Sequence, residues 1–456
     1  MARPSSLLRI LGLSFGLAVT VGNTIGAGIL RTPGDIAALL PSPWMFVGIW
    51  VVGGLYALLG ANALAELGTM LPRSGGQYVF ARRAFGEYAG FVVGWMDWIS
   101  TAASAGAIAI VIGESIAVVV SLSSRDAAPI AIAITAVFTL VLTRGAKTGD
   151  RVQQLTSLIK ALALIALVAV CFVFAGRARV DPSHVAVASR AASGFAAFML
   201  AAQAVIYTYD GWSAPIYFSE ELNDPGRQIP RSMFYGLALV ASIYLLINIA
   251  FLRALPTRAM AGAPLAAASV AKAIFGGWGE MIVRLVVIVS LPSAVIACLL
   301  IASRTLYGMS RDGLGLPWAA RVSRGGTPTV SMAASGLVTI GFLATGTFET
   351  IIAIAAFFFV ADYTLSFLAV FLLRRREPAA ARPYRAVGHP WSTGFVLLGS
   401  LAFLGSAVVS DRRNSLAALG ILIASYPAFR LSRPFSTAGV VALPVGSADP
   451  YVSNDT

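Results

Sequence analysis

Long apolar stretches recur along the chain from Leu11 to Arg430, and they constrain its fold more than any other feature. Each has about 18 or more residues, enough to cross a hydrocarbon core of about 30 Å as a helix. Charged residues make up only 12% of the chain, whereas soluble domains carry about 25%. Because so few charges cannot cover a large protein with polar surface, the sequence predicts an all-α membrane protein.

The stretches divide into twelve predicted spans within one transmembrane domain, residues 1–431. A mobile cytoplasmic tail, rich in Ser, Pro and Gly, is expected over 432–456. The first six predicted spans are Leu11–Leu39, Trp44–Met70, Tyr88–Val120, Pro129–Thr143, Gln153–Ala175 and Ala192–Ser219. The other six are Phe234–Leu255, Gly279–Leu306, Val330–Thr345, Thr350–Leu373, Ser392–Ser410 and Ser415–Phe429.

The basic residues favour one side of the predicted membrane domain. Of 33 Lys and Arg residues, 21 fall before the first span or in alternate loops and the tail, 11 fall on the opposite side, and Lys160 lies within a span. By the positive-inside rule both termini are cytoplasmic, and a bacterial inner membrane is the expected location. This distribution explains the net charge of +13 without nucleic acid as a partner.

Few residues are suited to catalysis, metal binding or disulfide formation. Cys171 and Cys298 lie within predicted spans, which argues against an extracellular disulfide framework. His184 and His389 lie in predicted loops, and no His-Glu-x-x-His motif occurs. The sequence therefore predicts a protein that is not an enzyme and needs no cofactor.

Two predicted spans contain helix breakers near their middles. In the first span, Gly22, Gly26 and Gly28 lie within seven residues, and each would weaken a lipid-facing helix by about 1 kcal/mol. In the sixth span, Asp210, Gly211 and Pro215 occur together, about 185 residues further on. Alternatively, the glycines only permit close helix packing and the proline only kinks its helix.

The spacing of the breaks matches the spacing of the two spans that contain them, which favours two repeats of five helices. Repeat one would cover about 11–175 and repeat two about 192–373, with two extra helices over about 392–429. Because the first and sixth spans cross the membrane in opposite directions, the repeats would have inverted topology.

An unwound helix at membrane depth exposes peptide groups that lipid cannot satisfy, so it is tolerated only beside protein or a water-filled cavity. Such groups can bind a zwitterion. The half-helix that starts near Gly28 would offer N–H groups and a positive dipole end to a carboxylate. The half-helices that end near Ile25 and Tyr209 would offer carbonyl oxygens to an ammonium group.

With these residues the sequence resembles the amino acid, polyamine and organocation transporter superfamily, and within it the L-amino acid transporter branch with its bacterial exchangers. Five motifs in the family order carry the resemblance. They are Gly22–Ile29 with Thr32 and Pro33, Glu66–Thr69 before Leu71–Tyr78, Tyr207–Trp212, Glu220 and Glu221 before Pro225–Pro230, and Ser303 and Arg304 before Ser310–Gly313.

The resemblance implies a LeuT-type fold in which the first and sixth helices are unwound and hold the substrate. Ala27 and Gly28 would bind the substrate carboxylate, and the carbonyls of Ile25, Tyr207 and Asp210 its ammonium. Tyr207 matches the aromatic gate of the family, and Trp212 and Ser213 would shape the side-chain pocket. The complete predicted substrate site is Thr24, Ile25, Gly26, Ala27, Gly28, Tyr207, Asp210, Gly211, Trp212 and Ser213.

Lys160 corresponds to a family lysine at the position where sodium-coupled relatives bind sodium, so the resemblance implies sodium independence. Gly22 and Cys298 complete this predicted sodium-site surrogate, although the family often carries serine near the position of Cys298. Alternatively Lys160, roughly 13 Å into its span, extends toward the cytoplasm. Animal members bind a heavy-chain subunit through a cysteine between helices three and four, but Ser121–Ala128 contains none, so no such partner is expected.

Other charged residues fall into two groups. Glu66, Glu220, Glu221 and Arg304 lie at cytoplasmic ends of spans, where the family has an inner gate network, although simple interfacial solvation is the alternative. Four acidic residues are expected deeper in the membrane and are candidates for carrying a proton. They are Asp97, Glu114, Asp210 and Asp362.

The sequence thus predicts a sodium-independent secondary transporter, an exchanger of neutral L-amino acids that works by alternating access. The alternative is a proton-coupled symporter or a transporter of cationic amino acids or polyamines, since Asp210 could attract a basic side chain. The expected partners are an amino acid substrate and the lipid bilayer.

Overall fold

A computed structural model describes residues 11–143, 146–178, 194–323 and 327–436, with the backbone alone for 146–157 and 433–436. These residues form α-helices and short 3-10 helices without any named strand. The helices of the first half are α1 Leu13–Thr24, α2 Gly28–Leu39, α3 Pro43–Met70, α4 Gln77–Phe85, α5 Glu87–Val119, α6 Ala127–Thr143, α7 Ala146–Phe174 and α8 Phe195–Tyr209.

The second half begins with a 3-10 helix, Ala214–Phe218, which follows α8. The later helices are α9 Pro225–Ala254, α10 Thr257–Met260, α11 Ala266–Phe275, α12 Gly277–Ser290, α13 Pro292–Arg311, α14 Thr329–Thr345, α15 Phe348–Arg376, α16 Trp391–Ser410 and α17 Arg412–Ser436.

Ten helical segments of the described residues are long and apolar enough to cross a membrane. They correspond to ten of the twelve predicted spans, with α1 and α2 counted together and α12 and α13 counted together. The other two predicted spans, the sixth and the ninth, contain shorter helices, α8 with 15 residues and α14 with 17. The prediction of an all-helical membrane protein is therefore confirmed.

Several predicted boundaries are wrong. The sixth span does not resume as an α-helix after its break, because only the 3-10 helix with Pro215 in its first turn follows. Proline lacks the N–H that would continue the helical ladder of α8 through this point, whereas it is tolerated in the first turn of a new helix. The last helix continues to Ser436, so 432–436 of the predicted tail are helical, while 437–456 lie outside the described residues. His184 also lies outside them.

Helix α5 lies at the centre of the bundle and packs against α4, α6, α13, α14 and α15. Its middle is built from small residues, and Ala102, Ala103 and Ala105 are fully buried. Small side chains let helix backbones approach closely, which is how helices associate in lipid without a hydrophobic driving force between them.

Helices α1 and α9 also approach closely, through glycines on both. A Cβ atom on Gly236 of α9 would lie 2.6 Å from Thr20 Cγ2 of α1, and a Cβ atom on Gly16 of α1 would lie 2.1 Å from Ser232 Oγ of α9. Glycine is therefore required at both positions for this approach.

We expect Gly236→Val to separate α1 from α9 and to lower the free energy of unfolding by about 1–3 kcal/mol, because the added atoms overlap Thr20. The check is the melting temperature of the purified protein in detergent. Gly420→Val is the matched control, since a Cβ atom at Gly420 of α17 meets no heavy atom within 4 Å. Equal melting temperatures for the two variants would contradict the close packing.

Candidate functional site

The helix of the first span is interrupted at the predicted place. Helix α1 ends at Thr24 and α2 begins at Gly28, and Ile25 between them has non-helical dihedral angles, φ −76° and ψ 87°. The first N–H groups of a helix have no partner within it, so the start of α2 offers free donors and a positive dipole end.

The sixth span is interrupted beside it. Helix α8 ends at Tyr209, and Gly211 has φ +109°, a conformation that favours glycine. A Cβ atom on Gly211 would lie 2.8 Å from both the backbone carbon of Asn23 and the backbone nitrogen of Thr24. The two breaks are thus in direct contact, and Gly211 serves this contact.

Tyr244 of α9 joins the two breaks from one side. Its hydroxyl lies 2.7 Å from the carbonyl oxygen of Thr24 and 3.2 Å from that of Thr208, and both oxygens are acceptors for it. The side chain is fully buried. One hydroxyl therefore satisfies peptide groups at the ends of both α1 and α8.

Lys160 of α7 joins the first break from another side. Its ammonium donates to the carbonyl oxygens of Gly22 at 2.9 Å and Ile25 at 2.7 Å. The residue is only 1% exposed, so the alternative in which Lys160 extends toward the cytoplasm is wrong. The Ile25 carbonyl, predicted to meet a substrate ammonium, instead accepts a hydrogen bond from Lys160.

Cys298 of α13 was expected to accompany Lys160, but its contact in the structure is with Asn23. The Cys298 sulfur lies 3.6 Å from Asn23 Oδ1 as a hydrogen-bond donor. Cys298 therefore lies at the wall of a cavity next to the breaks.

The cavity between the breaks has a volume of about 50 Å³. Seven predicted residues line it: Thr24, Gly26, Ala27, Gly28, Tyr207, Asp210 and Cys298. The sequence analysis missed six others: Asn23, Thr101, Ser104, Ile108, Thr208 and Phe359. The missed residues of α5 carried a faint signal, since Thr101 and Ser104 are hydroxyl residues three apart in a mostly apolar span.

Four predicted substrate-site residues, Ile25, Gly211, Trp212 and Ser213, do not line this cavity. Trp212 is 1% exposed and stacks on Tyr363 of α15, with ring centroids 5.0 Å apart. The hydroxyl of Tyr363 donates to the Asp210 carboxylate. Trp212 is thus packed against α15 behind the wall and is not part of the lining of this cavity.

Most of the cavity wall is neutral. Hydroxyl groups, apolar side chains and backbone atoms surround the space, and Asp210 is the one charged residue in the lining among the described residues. Its carboxylate is already held by Tyr363. The described residues contain no group of three or more His, Cys, Asp or Glu that could hold a metal ion.

On the side where most basic residues lie, ion pairs hold the ends of the helices together. Arg304 of α13 donates to both carboxylate oxygens of Glu221, at 2.8 and 3.3 Å, and its guanidinium lies 4.6 Å from the ring centroid of Phe218. Next to it, Arg311 donates to Glu220 at 2.8 Å. Glu220, Glu221 and Arg304, which the sequence analysis grouped together, therefore form two separate ion pairs, Arg304 with Glu221 and Arg311 with Glu220. The sequence analysis did not predict Arg311.

Glu66 does not belong to that group of ion pairs. It accepts from Arg374 Nε of α15 at 2.8 Å and from the backbone N–H of Ala386 at 2.7 Å, and Arg382 Nε lies 3.2 Å away. Glu66 thus fastens the segment after α15 to α3, and its ion pairs are separate from those of Glu220, Glu221 and Arg304, the other residues of the predicted gate network. Arg374 and Arg382 lie more than 300 residues further along the chain, and nothing local in the sequence links them to Glu66.

Arg31 of α2 forms a corresponding group at the opposite end of the bundle. It donates to Glu114 of α5 at 2.8 Å and to Glu349 of α15 at 2.9 Å, and it lies 4.1 Å from the ring centroid of Phe348. The Glu114 side chain is 40% exposed, so the prediction of Glu114 as a deep acidic residue is wrong.

Known proteins that are similar to this chain are transporters of amino acids. The chain is 27% identical to the serine/threonine exchanger SteT of Bacillus subtilis over 431 residues, which is 93% of this chain and 97% of that protein. It is 27% identical to the b(0,+)-type amino acid transporter 1 of Mus musculus over 84% of this chain and 80% of the relative. It is 25% identical to the mouse Asc-type amino acid transporter 1 over 83% of this chain and 73% of the relative.

The family model described as amino acid permease matches residues 7–426, almost the whole chain. The family and these relatives are transporters, so the predictions of amino acid transport, a multi-pass membrane protein and the absence of enzyme activity are confirmed. The resemblance drawn from the five motifs is confirmed as well. The chain belongs to the amino acid permease family of the amino acid, polyamine and organocation superfamily.

Proposed function

We propose that this protein is a sodium-independent exchanger of neutral L-amino acids. The observation that carries the proposal is the Lys160 ammonium on the carbonyls of Gly22 and Ile25, beside a cavity between two interrupted helices. Carbonyl oxygens freed by a helix break can bind a metal cation, and here a fixed positive charge occupies them. Transport therefore does not need sodium at this position.

In this proposal the cavity holds the substrate. The N–H groups at Ala27 and Gly28 and the positive end of α2 bind its carboxylate. The carbonyls of Tyr207 and Asp210 bind its ammonium, because the Ile25 carbonyl already accepts from Lys160. The volume of about 50 Å³ and the hydroxyls of Thr101 and Ser104 favour small neutral side chains.

Cationic amino acids are the second candidate. Asp210 lines the cavity and could attract a basic side chain. Tyr363 already donates to its carboxylate, which favours neutral substrates over cationic ones.

Alternating access would use the two groups of ion pairs. Opening toward the cytoplasm breaks the pair of Arg304 and Glu221, and opening toward the outside breaks the pairs of Arg31. We further propose a LeuT-type arrangement of twelve spans in two inverted repeats of five, with two extra helices, both termini in the cytoplasm of a bacterial cell and no disulfide-linked heavy-chain subunit. Both cysteines are buried among the helices, in agreement with that last point.

The first test is uptake of labelled serine, threonine, alanine, leucine and arginine by purified protein in liposomes. We expect serine or threonine to enter several-fold faster when the lumen contains a neutral amino acid, because the loaded cavity changes sides in both directions. Replacement of sodium by choline should leave the rate unchanged. Absence of uptake of every amino acid would refute the function, and a strong sodium requirement would refute the role of Lys160.

A second test removes the ammonium group. Lys160→Met keeps the length of the side chain but leaves two buried carbonyls without their donor, at about 1–3 kcal/mol for each. We expect serine exchange to be lost while the protein still elutes as a single species in detergent. Lys272→Met, at an exposed outer lysine paired with Glu280, is the control and should exchange normally. Normal exchange by Lys160→Met would contradict the surrogate-cation argument.

A third test closes the carboxylate site. A Cβ atom on Gly28 would lie 2.8 Å from Thr208 Oγ1, so Gly28→Val should fill the space between the breaks and abolish serine binding. Binding is measured as the increase in melting temperature with serine concentration. Gly405→Val on α16, where a Cβ atom meets no heavy atom within 4 Å, is the matched control. Unchanged serine affinity in Gly28→Val would remove Gly28 from the site.

A further inference from the structure

Asp362 of α15 is buried in a way that an ionised carboxylate does not tolerate. Its side chain is fully buried, and neither carboxylate oxygen has a hydrogen-bond partner among the described residues. Among the residues that the structure describes, no Lys or Arg forms an ion pair with Asp362. Burial of an unpaired charge is strongly unfavourable, so a proton on Asp362 is the simplest way to satisfy the site.

The neighbouring groups favour the same protonation state. Asp97 of α5 and Asp210 act on Asp362 as negative charges, and the other titratable group that faces it is the hydroxyl of Tyr217. Asp97 differs from Asp362 because both of its oxygens accept hydrogen bonds, from Tyr217 at 2.8 Å and from Thr305 at 3.3 Å. Asp362 is thus the one of these two carboxyl groups whose oxygens have no donor, and two carboxylates close together rarely ionise at the same time.

Both acidic residues lie one helical turn from the cavity. Asp362 follows the cavity residue Phe359 by three positions, and Asp97 precedes the cavity residue Thr101 by four. Helices α5 and α15 pack side by side in opposite directions, because Arg31 binds Glu114 near the end of α5 and Glu349 near the start of α15. Asp97 and Asp362 therefore lie on the same side of the cavity, toward the Arg304 end.

Tyr363, the residue that follows Asp362 in the chain, connects Asp362 to the cavity wall. Tyr363, the next residue of α15, donates its hydroxyl to Asp210, which follows the end of α8 and lines the cavity. A change in the position of the sixth-span break is thus transmitted through Tyr363 to the turn of α15 that carries Asp362.

We propose that Asp362 is a proton-binding site that takes up one proton from water together with the amino acid and releases it on the other side. The inference rests on the proposed amino acid transport and adds to the exchange a second mode, the net uptake of an amino acid together with a proton. The carboxyl group carries its proton while the helices are closed around it, and opening of the Arg304 end admits water that can accept the proton. An inward gradient of one pH unit then supports about tenfold accumulation of a neutral amino acid.

The test uses full-length protein in sodium-free liposomes that contain a trapped pH-sensitive dye, with potassium and valinomycin to hold the membrane potential near zero. We expect external serine to acidify the lumen, and an inward proton gradient to increase labelled serine uptake. Asp362→Asn, which mimics the protonated side chain, should still exchange serine at equal pH but lose both proton effects. Glu280→Gln is the matched control, because Glu280 pairs with Arg284 and Lys272 outside the site.

The possible results separate the two proposals. If the wild-type protein exchanges serine but shows neither acidification nor a response to the proton gradient, the proton site alone is overturned. The proton site is also overturned if Asp362→Asn protein keeps both proton effects. Wild-type protein without serine exchange overturns the transport proposal.

A chemical test needs no variant. Dicyclohexylcarbodiimide reacts with protonated carboxyl groups in apolar surroundings, and we expect mass spectrometry to find it on Asp362 together with loss of acidification. Either no modification of Asp362, or acidification that persists after its modification, contradicts the proposal.

Discussion

The structure depends on the need to satisfy peptide groups where two helices stop inside the membrane. Lipid offers these groups no hydrogen bond, so the protein must supply each partner. The Lys160 ammonium donates two hydrogen bonds, to the carbonyl oxygens of Gly22 and Ile25. The Tyr244 hydroxyl donates one proton, which the carbonyl oxygens of Thr24 and Thr208 share. The first N–H groups of α2 have no partner within the helix, and they border the cavity at Ala27 and Gly28.

The cavity lies between two groups of ion pairs at opposite ends of the bundle. Arg31 joins α2, α5 and α15 at one end, and Arg304 with Glu221 closes the other. Helices α2, α5, α13 and α15, which carry these ion pairs, also contribute residues to the cavity wall. The cavity, the ion pairs and Asp362 therefore share the same few helices, and a shift of one of these helices changes the contacts of the others.

The sequence predicts the local features well and the distant ones poorly. Hydropathy locates the spans, and the glycines around Gly26 locate the first break, because both signals lie within a few neighbouring residues. The partners of Glu66 and Arg31 could not be predicted, since hydrogen bonds across more than 80 residues leave no periodic trace. Trp212 was assigned to the pocket from its motif, but the stacking on Tyr363 that turns it away depends on the packing of α15.

The two breaks are not restrained equally. Three carbonyls of the first break, those of Gly22, Thr24 and Ile25, accept hydrogen bonds of 2.7–2.9 Å from Lys160 and Tyr244. At the second break the Thr208 carbonyl shares the same tyrosine proton at 3.2 Å, a weaker contact. Tyr244 therefore restrains the end of α1 more than the end of α8, and the rim of the cavity formed by α8 is the one that this tyrosine leaves easier to displace.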